Sequence, residues 1–384
     1  MIYLDANATT PLLPEVLEAM LPWLREGFAN PSGIYAEAKR ARKAIQDARE
    51  QVAALIGAEP EEIHFNSGGT ESANTALHTL DRLGGPGAAV VSAIEHSAVL
   101  RSVEARSREV RKVAVTRDGV LDLAAYEAAL DGAAFVSVML ANNETGVIQP
   151  VKKAAELARA RGLAFHTDAV QAIGKIPVDV RDLGVDLLSL SAHKFHGPKG
   201  IGALYVRRGL RFSPLLHGGG QEGGRRSGTE NTVSIVGMGI AAEILRKKLE
   251  AGSRLAELRD AFEKHVTSRL IGVIVNGAAS ERLPNTSHMS FERCDAAGLL
   301  ILLDEAGIAC SAGSACMTGK QKPSHVQLAM GIPEALAKSS LRFSFSQLST
   351  PEEAIQAAEA VVKAVEKLRR VQGPGVGPVV VYSP

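Results

Sequence analysis

The sequence predicts an α/β protein: a mostly parallel sheet flanked by helices, followed by a smaller α+β unit. Between about residues 60 and 210, short apolar strand patterns alternate with alanine-rich helical stretches such as 151–160. Strands joined through helices lie parallel, and the helices cover both faces of their sheet. Beyond a long helical stretch the strands become short and widely spaced, which indicates a second unit of different architecture.

The predicted elements follow one another in a regular order. The larger unit takes its strands from residues 62–65, 88–93, 110–115, 135–140, 163–167, 187–190 and 201–206. One long helical stretch is predicted over about 235–270. The smaller unit then contains strands at 273–275, 286–291 and 341–345, and helices at 295–306 and 351–371. We expect a large domain over 15–257 and a small domain formed by 1–14 and 258–384, hinged on the long helix.

The composition excludes several classes of function. The chain has 384 residues, is 46% hydrophobic and carries a formal net charge of +1, with its basic residues spread along the sequence. We therefore expect no nucleic-acid partner and no binding to an anionic membrane surface. No apolar run approaches the roughly 18 residues that span a bilayer, and the first residues lack a signal-peptide pattern, so a cytoplasmic location is expected. The three cysteines are too few for a disulfide framework.

Polar residues follow the predicted strands, and the most informative cluster surrounds Lys194. The apolar run 187–190 delivers this lysine to a glycine-rich turn, while Asp168 ends the neighbouring strand pattern. In such sheets ligands bind at the carboxyl ends of the strands. A lysine amine can form a Schiff base with an aldehyde cofactor, and a carboxylate can keep a pyridine nitrogen protonated. The pair is typical of a pyridoxal 5'-phosphate site; a surface turn beside a strand-end aspartate is the alternative.

A phosphate group needs a cradle, and a Ser-Gly-Gly-Thr segment supplies one. Gly69 and Thr70 open a predicted helix, where backbone N–H groups, the helix dipole and a hydroxyl can converge on an anion. Ser191 and His193, beside the lysine, could supply further donors. His96 follows its strand and could place an imidazole on the face of an aromatic cofactor and relay protons. The alternatives are a flexible helix start and an ordinary loop histidine.

Cys316 lies in the segment 311–319, which consists almost entirely of small residues. Such a composition makes a poor core and suits a mobile loop whose thiol approaches a substrate and withdraws. A cysteine packed among small residues is the alternative. Cys310 adjoins an apolar stretch and Cys294 an aspartate, so both are predicted to be structural or incidental.

Further motifs extend along nearly the whole chain. In order they are Tyr3-Leu4-Asp5-Ala6-Asn7-Ala8-Thr9-Thr10-Pro11, Asn30-Pro31-Ser32, Ser67-Gly68-Gly69-Thr70-Glu71-Ser72, Asn142-Asn143-Glu144-Thr145-Gly146, Asp168-Ala169-Val170-Gln171, Arg226-Ser227-Gly228-Thr229-Glu230-Asn231 and Leu341-Arg342-Phe343-Ser344. Together with the lysine segment and the cysteine loop, they resemble the cysteine desulfurases of the NifS/IscS family. That family belongs to the class V aminotransferases and to fold type I of the pyridoxal phosphate-dependent transferases, so the same fold is expected here.

The resemblance implies a role for each residue around the cofactor ring. Lys194 would form the Schiff base, and Asp168 would pair with the pyridine nitrogen. Gln171 and Asn143 would address the ring hydroxyl. His96 would stack on the ring and manage the protons of the reacting thiols.

The resemblance also implies a phosphate site and a dimer. Gly69 belongs to the glycine turn, and Thr70, Ser191 and His193 would bind the phosphate. Thr229 would reach the same phosphate from the neighbouring subunit of a homodimer.

The implied reaction is the conversion of L-cysteine to L-alanine. Arg342, with Asn143, would hold the substrate carboxylate, a bidentate task suited to a guanidinium. Cys316 would take the sulfur as a persulfide and deliver it to an acceptor or scaffold protein, for iron–sulfur cluster assembly or other sulfur trafficking. The loop around Cys316 is similar to that of the family's first group, in which the cysteine sits on a longer, mobile loop.

Departures from the family and alternative functions stay open on sequence alone. Gly223 stands where the family usually has an arginine, and Arg225 is the nearest replacement. The tail after Val371 lacks an obvious match to the tail with which housekeeping members of the family bind their scaffold protein. A selenocysteine lyase or another class V enzyme would keep the lysine and the aspartate, although an aminotransferase would not need Cys316. A non-enzymatic sulfur-binding or scaffold protein would not need the complete cofactor constellation.

Overall fold

The computed structural model of the protein describes residues 1–250, 254–312 and 323–372. Its strands, numbered along the chain, are β1 (Ile2–Tyr3), β2 (Ile63–Asn66), β3 (Ala88–Ser92), β4 (Val110–Val113), β5 (Ala133–Ser137), β6 (Ala164–Asp168), β7 (Leu187–Ser191), β8 (Gly202–Val206), β9 (Val273–Val275), β10 (Thr286–Phe291), β11 (Ile308–Ala309) and β12 (Ser340–Ser344). Seven of them form one sheet in the order β2-β8-β7-β6-β5-β3-β4. Neighbours from β7 to β4 run parallel, whereas β8 runs antiparallel to both β7 and β2. The predicted mostly parallel sheet is confirmed.

Helices cover both faces of this sheet. The α-helices are α1 (Pro14–Arg25), α2 (Ala36–Leu55), α3 (Gly69–Leu83), α4 (Ser97–Glu104), α5 (Leu123–Ala129), α6 (Val151–Ala160), α7 (Val180–Leu183), α8 (Thr232–Glu250), α9 (Leu255–Arg269), α10 (Ala296–Glu305), α11 (His325–Ala329), α12 (Glu334–Ala337) and α13 (Pro351–Gln372). One face carries a core that joins α1, α2, α6 and α8 to the strands, with Val52 and Phe165 among its buried residues. The other face packs against α3 and α4 through Leu77 and Val103. Burial on both faces explains why β3, β7 and β8 consist almost wholly of apolar and small residues.

A second hydrophobic core lies beneath a smaller antiparallel sheet, in which β10 pairs with β9 on one side and β12 on the other. Helices α9, α10 and α13 pack on this sheet, and the ring centroid of Phe262 lies 4.8 Å from that of Phe343 and 5.7 Å from that of Phe345. Leu4 from the amino-terminal segment joins this second core, whereas Leu13 joins the first. The boundaries of the two expected domains stay a prediction.

One expectation about the elements needs correction, and one pair of strands was not predicted. The stretch 235–270, predicted as one helix, forms two helices, α8 and α9, and Arg254 lies in a turn immediately before α9. Gly252, a poor helix former, lies between the two helices in the sequence. In addition, β1 and β11 pair in parallel. Two-residue strands show no periodicity, so sequence patterns cannot reveal them. In the part of the chain that the structure describes, no helix is long and apolar enough to cross a membrane.

Candidate active site

A cavity of about 260 Å³ opens at the carboxyl ends of the strands. Nine residues predicted from the sequence line it: Gly69, Thr70, His96, Asn143, Asp168, Gln171, Ser191, His193 and Lys194. Apolar groups of Met139 and Val170 complete much of the remaining wall. The lining comes from the ends of β6 and β7 and from the segments after β2, β3 and β5, the edge at which α/β sheets bind ligands. The structure therefore brings most of the predicted site together.

A larger cavity of about 770 Å³ lies at the opposite edge of the sheet. Four of its charged side chains are already paired, Arg181 with Glu59 and Arg207 with Asp186. The cavity at the carboxyl ends is therefore the better candidate for chemistry.

Lys194 ends a short turn of 3-10 helix that follows β7 directly. Its Nζ donates hydrogen bonds of 2.7 Å to the carbonyl oxygens of Asn7 and Ala8. Burial, and then the positive charge of Arg342, lowers the pKa of Lys194 to about 8. An amine with this pKa is partly neutral near physiological pH, which is the form that acts as a nucleophile or a base.

Asp168 is the last residue of β6, and its Oδ1 accepts a hydrogen bond of 3.0 Å from the backbone N–H of Val170. Burial raises the pKa of Asp168, while the nearby charges of His96 and Lys194 oppose the rise. His96 caps α4, since its Nδ1 accepts from the N–H of Ala98 at 3.1 Å. Burial lowers the pKa of His96 and favours its neutral form. The cavity thus combines a carboxyl group, a neutral imidazole and a lysine amine.

The glycine turn before α3 is closely packed. Gly68 has a φ of +146°, which residues with a Cβ rarely adopt, and α3 begins at Gly69. A Cβ on Gly69 would lie only 2.9 Å from Cγ2 of Val170, so a larger residue would not fit without a shift. The first N–H groups of a helix have no partner within the helix. They are therefore free to bind an anion beside Ser191 and His193, which line the same cavity.

Arg342 lies on β12, beside the cavity rather than in its lining. Its Nη2 forms an ion pair with Oδ1 of Asp5 at 2.7 Å, and its Nη1 donates to the carbonyl oxygen of Asn143 at 2.9 Å. The Nε atom is buried and has no hydrogen-bond partner among the described residues. The guanidinium therefore keeps one unused donor, while its Nη1 is bound to the backbone of Asn143, a residue that lines the cavity.

Like Arg342, Thr229 does not line this cavity. Thr229 lines a separate cavity of about 260 Å³, together with Ser67 and Arg226. Cys316 lies outside the described residues. The other two cysteines are free thiols, and burial raises the pKa of Cys294 and raises that of Cys310 to about 12.

The segment around Gly223 departs from the family pattern, and the side chain of its Arg225 packs against other parts of the chain. Gly223 has a φ of +63°, which a residue with a side chain would adopt only with strain. The Arg225 guanidinium contacts Nε2 of His64, and its Cζ lies 5.4 Å from the ring centroid of Phe212. Arg225 is therefore engaged at the end of the sheet near β2.

Three residues at the site received no role in the sequence analysis. Asn7 accepts a hydrogen bond from Lys194 through its carbonyl oxygen, Asp5 pairs with Arg342, and Lys175 contacts Gln171. The first two lie in the amino-terminal motif that carries the family resemblance. The sequence also offers a reason to single out Lys175. It stands among apolar residues four positions after Gln171, and a lysine is rarely buried in such a setting unless it is paired.

The fold and the cavity agree with comparisons to known proteins. Residues 2–357 match the family described as aminotransferase class-V. A cysteine desulfurase of Gluconacetobacter diazotrophicus is 45% identical over 378 residues, covering 96% of this chain and 94% of the relative. The cysteine desulfurase IscS of Dictyoglomus turgidum is 44% identical over 380 residues and covers 96% of each chain.

Among solved structures, one described as a NifS-like protein superimposes with a TM-score of 0.88 at 36% sequence identity, covering 95% of this chain and 99% of the other. Together with the class-V match, this superposition confirms the expected type I transferase fold. The chain belongs to the aminotransferase class-V family and, within it, to the cysteine desulfurases of the NifS/IscS type.

Proposed function

We propose that this chain is a pyridoxal phosphate-dependent cysteine desulfurase that converts L-cysteine to L-alanine and carries the sulfur on Cys316. The observation that supports this most directly is the position of Lys194 and Asp168, which line one cavity from the adjacent strands β7 and β6. The names of the relatives support the same activity. A binding or scaffold protein would not need a lysine amine of lowered pKa and a buried carboxyl group in a single cavity.

The residues of the cavity fit pyridoxal 5'-phosphate. An aldehyde requires a neutral amine, and the pKa of Lys194 is lowered to about 8. A pyridine nitrogen requires a carboxylate to stay protonated, and Asp168 is the carboxyl group in the lining. A phosphate requires N–H donors and close backbone approach, which the start of α3 offers because Gly69 leaves no room for a Cβ. Thr70, Ser191 and His193 would add side-chain donors.

The bound cofactor would supply an electron sink for the negative charge that develops on the substrate's Cα. Asp168 would hold the proton on the ring nitrogen, and His96 would stack against the ring face. Gln171 and Asn143 would donate to the ring oxygen. The Lys194 amine would remove the Cα proton, a task for which a pKa near the working pH is favourable.

Arg342 is proposed to bind the substrate carboxylate. Its Nε donor is buried without a partner among the described residues, and an unused buried donor of this kind is costly unless a ligand satisfies it. The other two nitrogens are already fixed by Asp5 and by the carbonyl of Asn143. The guanidinium is thus held in one orientation before the substrate arrives.

The sulfur transfer assigned to Cys316 rests on its sequence context. Its thiolate would attack the substrate sulfur, so that a sulfur–sulfur bond forms as the substrate's Cβ–S bond breaks. The electrons of the broken bond stay on the carbon, which is protonated to become the methyl group of alanine. The raised pKa values of Cys294 and Cys310 disfavour their thiolates and support Cys316 as the acceptor. A sulfur-acceptor or scaffold protein would then take the outer sulfur of the persulfide.

A homodimer is proposed as the functional unit. Phe28 and Ile34, 92% and 87% exposed, flank the Asn30-Pro31-Ser32 motif and offer an apolar surface for a second copy. Thr229 lies in its own cavity with Glu230, whose Oε2 is buried and has no partner within the described residues. The exposed apolar side chains and the unpartnered carboxyl oxygen each support contact with a second subunit, and sedimentation of the purified protein would test whether a dimer forms.

The activity can be tested with purified protein, added pyridoxal 5'-phosphate, L-cysteine and a thiol reductant. Equal amounts of alanine and sulfide are expected from the wild type and none from Lys194→Ala. Lys199→Ala, which changes an exposed lysine five positions away, serves as the matched control and should keep the activity. Turnover of L-selenocysteine without turnover of L-cysteine would favour a selenocysteine lyase. Protein that binds no cofactor and forms no alanine would overturn the proposal.

A further inference from the structure

Lys175 is a buried lysine that the proposed reaction does not use. It is only 6% exposed, and its Nζ donates to Oε1 of Gln171 at 2.7 Å and to Oδ1 of Asn7 at 2.9 Å. Burying an amine is costly unless hydrogen bonds satisfy it. Both of its acceptors belong to residues that contact the site, which points to a role there.

A tight turn after β6 brings this lysine back toward the site. Gly174 in that turn has a φ of +75°, which favours glycine, and a Cβ there would lie 2.9 Å from side-chain atoms of both Leu245 and Phe195. The turn is therefore fixed by packing as well as by backbone conformation. It places the side chain of Lys175 in contact with the side chain of Gln171, four residues earlier in the sequence.

The amide of Gln171 has two unlike ends, and its neighbours select one orientation. The carbonyl oxygen of Asn7 is an acceptor only, and it takes a hydrogen bond of 3.0 Å from Nε2 of Gln171. The amine of Lys175 donates to the opposite end, Oε1. If the amide flipped, two acceptors would face each other at Asn7, and Oε1 would lose its hydrogen bond from the Lys175 amine. The second hydrogen on Nε2 would then be available to a ligand in the cavity, which Gln171 lines.

The same carbonyl oxygen of Asn7 also accepts from Nζ of Lys194 at 2.7 Å. Asn7 is itself held by the Nδ2 group of Asn285, which donates to its Oδ1 at 3.0 Å. A connected set of hydrogen bonds therefore runs from Lys175 through Gln171 and Asn7 to the lysine of the active site. Within this set, Lys175 is the donor that fixes the free end of the Gln171 amide.

We propose that Lys175 is a positioning residue that orients the Gln171 amide, so that its NH2 group rather than its oxygen faces the ring oxygen of the bound cofactor. This inference rests on the proposed function, in which Gln171 donates to that oxygen. It adds a residue that contacts neither cofactor nor substrate but acts through one that does. A purely structural lysine would instead contribute only to the stability of the fold.

A double-mutant cycle separates these two roles. Lys175→Met, Gln171→Leu and the double variant are compared with the wild type by absorbance titration with pyridoxal 5'-phosphate and by visible circular dichroism of the bound cofactor. We expect Lys175→Met to raise the Kd about tenfold, the size of one lost hydrogen bond, and to change the dichroism. In the Gln171→Leu background the same substitution should change the Kd less than about twofold, because the amide through which it acts is gone.

Controls keep the test independent of folding and of turnover. Lys152→Met, at an exposed lysine paired with Asp182, should leave Kd and dichroism unchanged. Urea unfolding of each apo-protein reports stability separately, and Lys175→Gln, which keeps a shorter amide donor, replaces Lys175→Met if that variant does not fold. It should weaken binding by a smaller factor than tenfold.

Either of two results would overturn the inference: an unchanged Kd and dichroism in the Lys175 variants, or equal effects of the substitution in both Gln171 backgrounds. Neither readout uses L-cysteine, so these results would leave the proposed desulfurase activity standing. A wild-type protein that failed to bind pyridoxal 5'-phosphate would refute the proposed function and this inference together.

Discussion

Arg342 and Asp5 lie 337 positions apart in the chain and form an ion pair in which Nη2 is 2.7 Å from Oδ1. Their side chains are only 6% and 21% exposed. The pair connects the amino-terminal segment to β12 at the wall of the candidate site. It also holds the guanidinium so that Nε remains as the unused donor. The first residues of the chain are therefore part of the active-site architecture.

Replacement of Asp5 should cost stability. Asp5→Asn keeps the shape of the side chain but leaves the buried charge of Arg342 without its partner, and loss of one member of a buried pair costs about 3 kcal/mol. The free energy of unfolding, measured by urea denaturation, is expected to fall by that amount. Asp47→Asn is the control, because the side chains of Asp47 and Lys43 are 50% and 76% exposed and a pair so exposed to solvent adds little to stability. Equal unfolding midpoints for Asp5→Asn and the wild type would show that the ion pair is not important for stability.

The sequence predicts that Asp168 and Lys194 lie close together, but it does not predict the contact between Asp5 and Arg342. Asp168 ends one strand and Lys194 follows its parallel neighbour, and a general rule brings the carboxyl ends of such strands together. No rule of that kind relates Asp5 to Arg342. Their contact depends on how a second, antiparallel sheet packs beside the first and on a two-residue strand too short to leave a periodic pattern. Contacts of this type come from tertiary packing, which single-sequence patterns do not contain.

Asp168→Ala should separate cofactor binding from catalysis. The variant keeps the amine of Lys194 and the phosphate donors, so it should still bind pyridoxal 5'-phosphate. Without the carboxylate the ring nitrogen loses its proton, and removal of the substrate's Cα proton should slow by about three orders of magnitude. Loss of deuterium from Cα-deuterated L-cysteine measures that step directly. Asp122→Asn is a suitable control, because asparagine caps the start of α5 about as well as aspartate. A normal exchange rate in Asp168→Ala would rule out the proposed role of the carboxylate.

The lowered pKa of Lys194 predicts a pH dependence of its reactivity in the apo-protein. The neutral amine is the reactive form, and with a pKa of about 8 instead of 10.5 its fraction at pH 7 is about 300-fold higher. Trace acetylation followed by peptide mass spectrometry should show labelling of Lys194 that rises with pH and levels off above about pH 8 to 9. Lys43 is the internal control, since its hydrogen bond with Asp47 raises its pKa above 10.5 and its labelling should still be rising there. Parallel curves for the two lysines would contradict the effect of burial on Lys194.

Cys316 provides the sharpest test, because sulfur transfer distinguishes desulfuration from every other use of the cofactor. Cys316→Ser should still bind pyridoxal 5'-phosphate and L-cysteine, since the groups proposed to hold them lie elsewhere. It should form no persulfide and release alanine at least about a thousandfold more slowly, because a serine hydroxyl is not ionised at neutral pH and cannot form the sulfur–sulfur bond. Cys294→Ser and Cys310→Ser are matched controls: burial raises the pKa of both thiols, so neither should be needed.

Mass spectrometry of wild-type protein, treated with L-cysteine in the absence of reductant and then digested, decides where the sulfur goes. The expected result is one extra sulfur on the peptide that contains Cys316 and none on the peptides that contain Cys294 or Cys310. Sulfur on either of those two, or full alanine production by Cys316→Ser, would reject the proposed acceptor. Because cofactor binding depends on Lys194 and Asp168, such a result would change the sulfur-transfer step while the assignment of the cofactor site would stand.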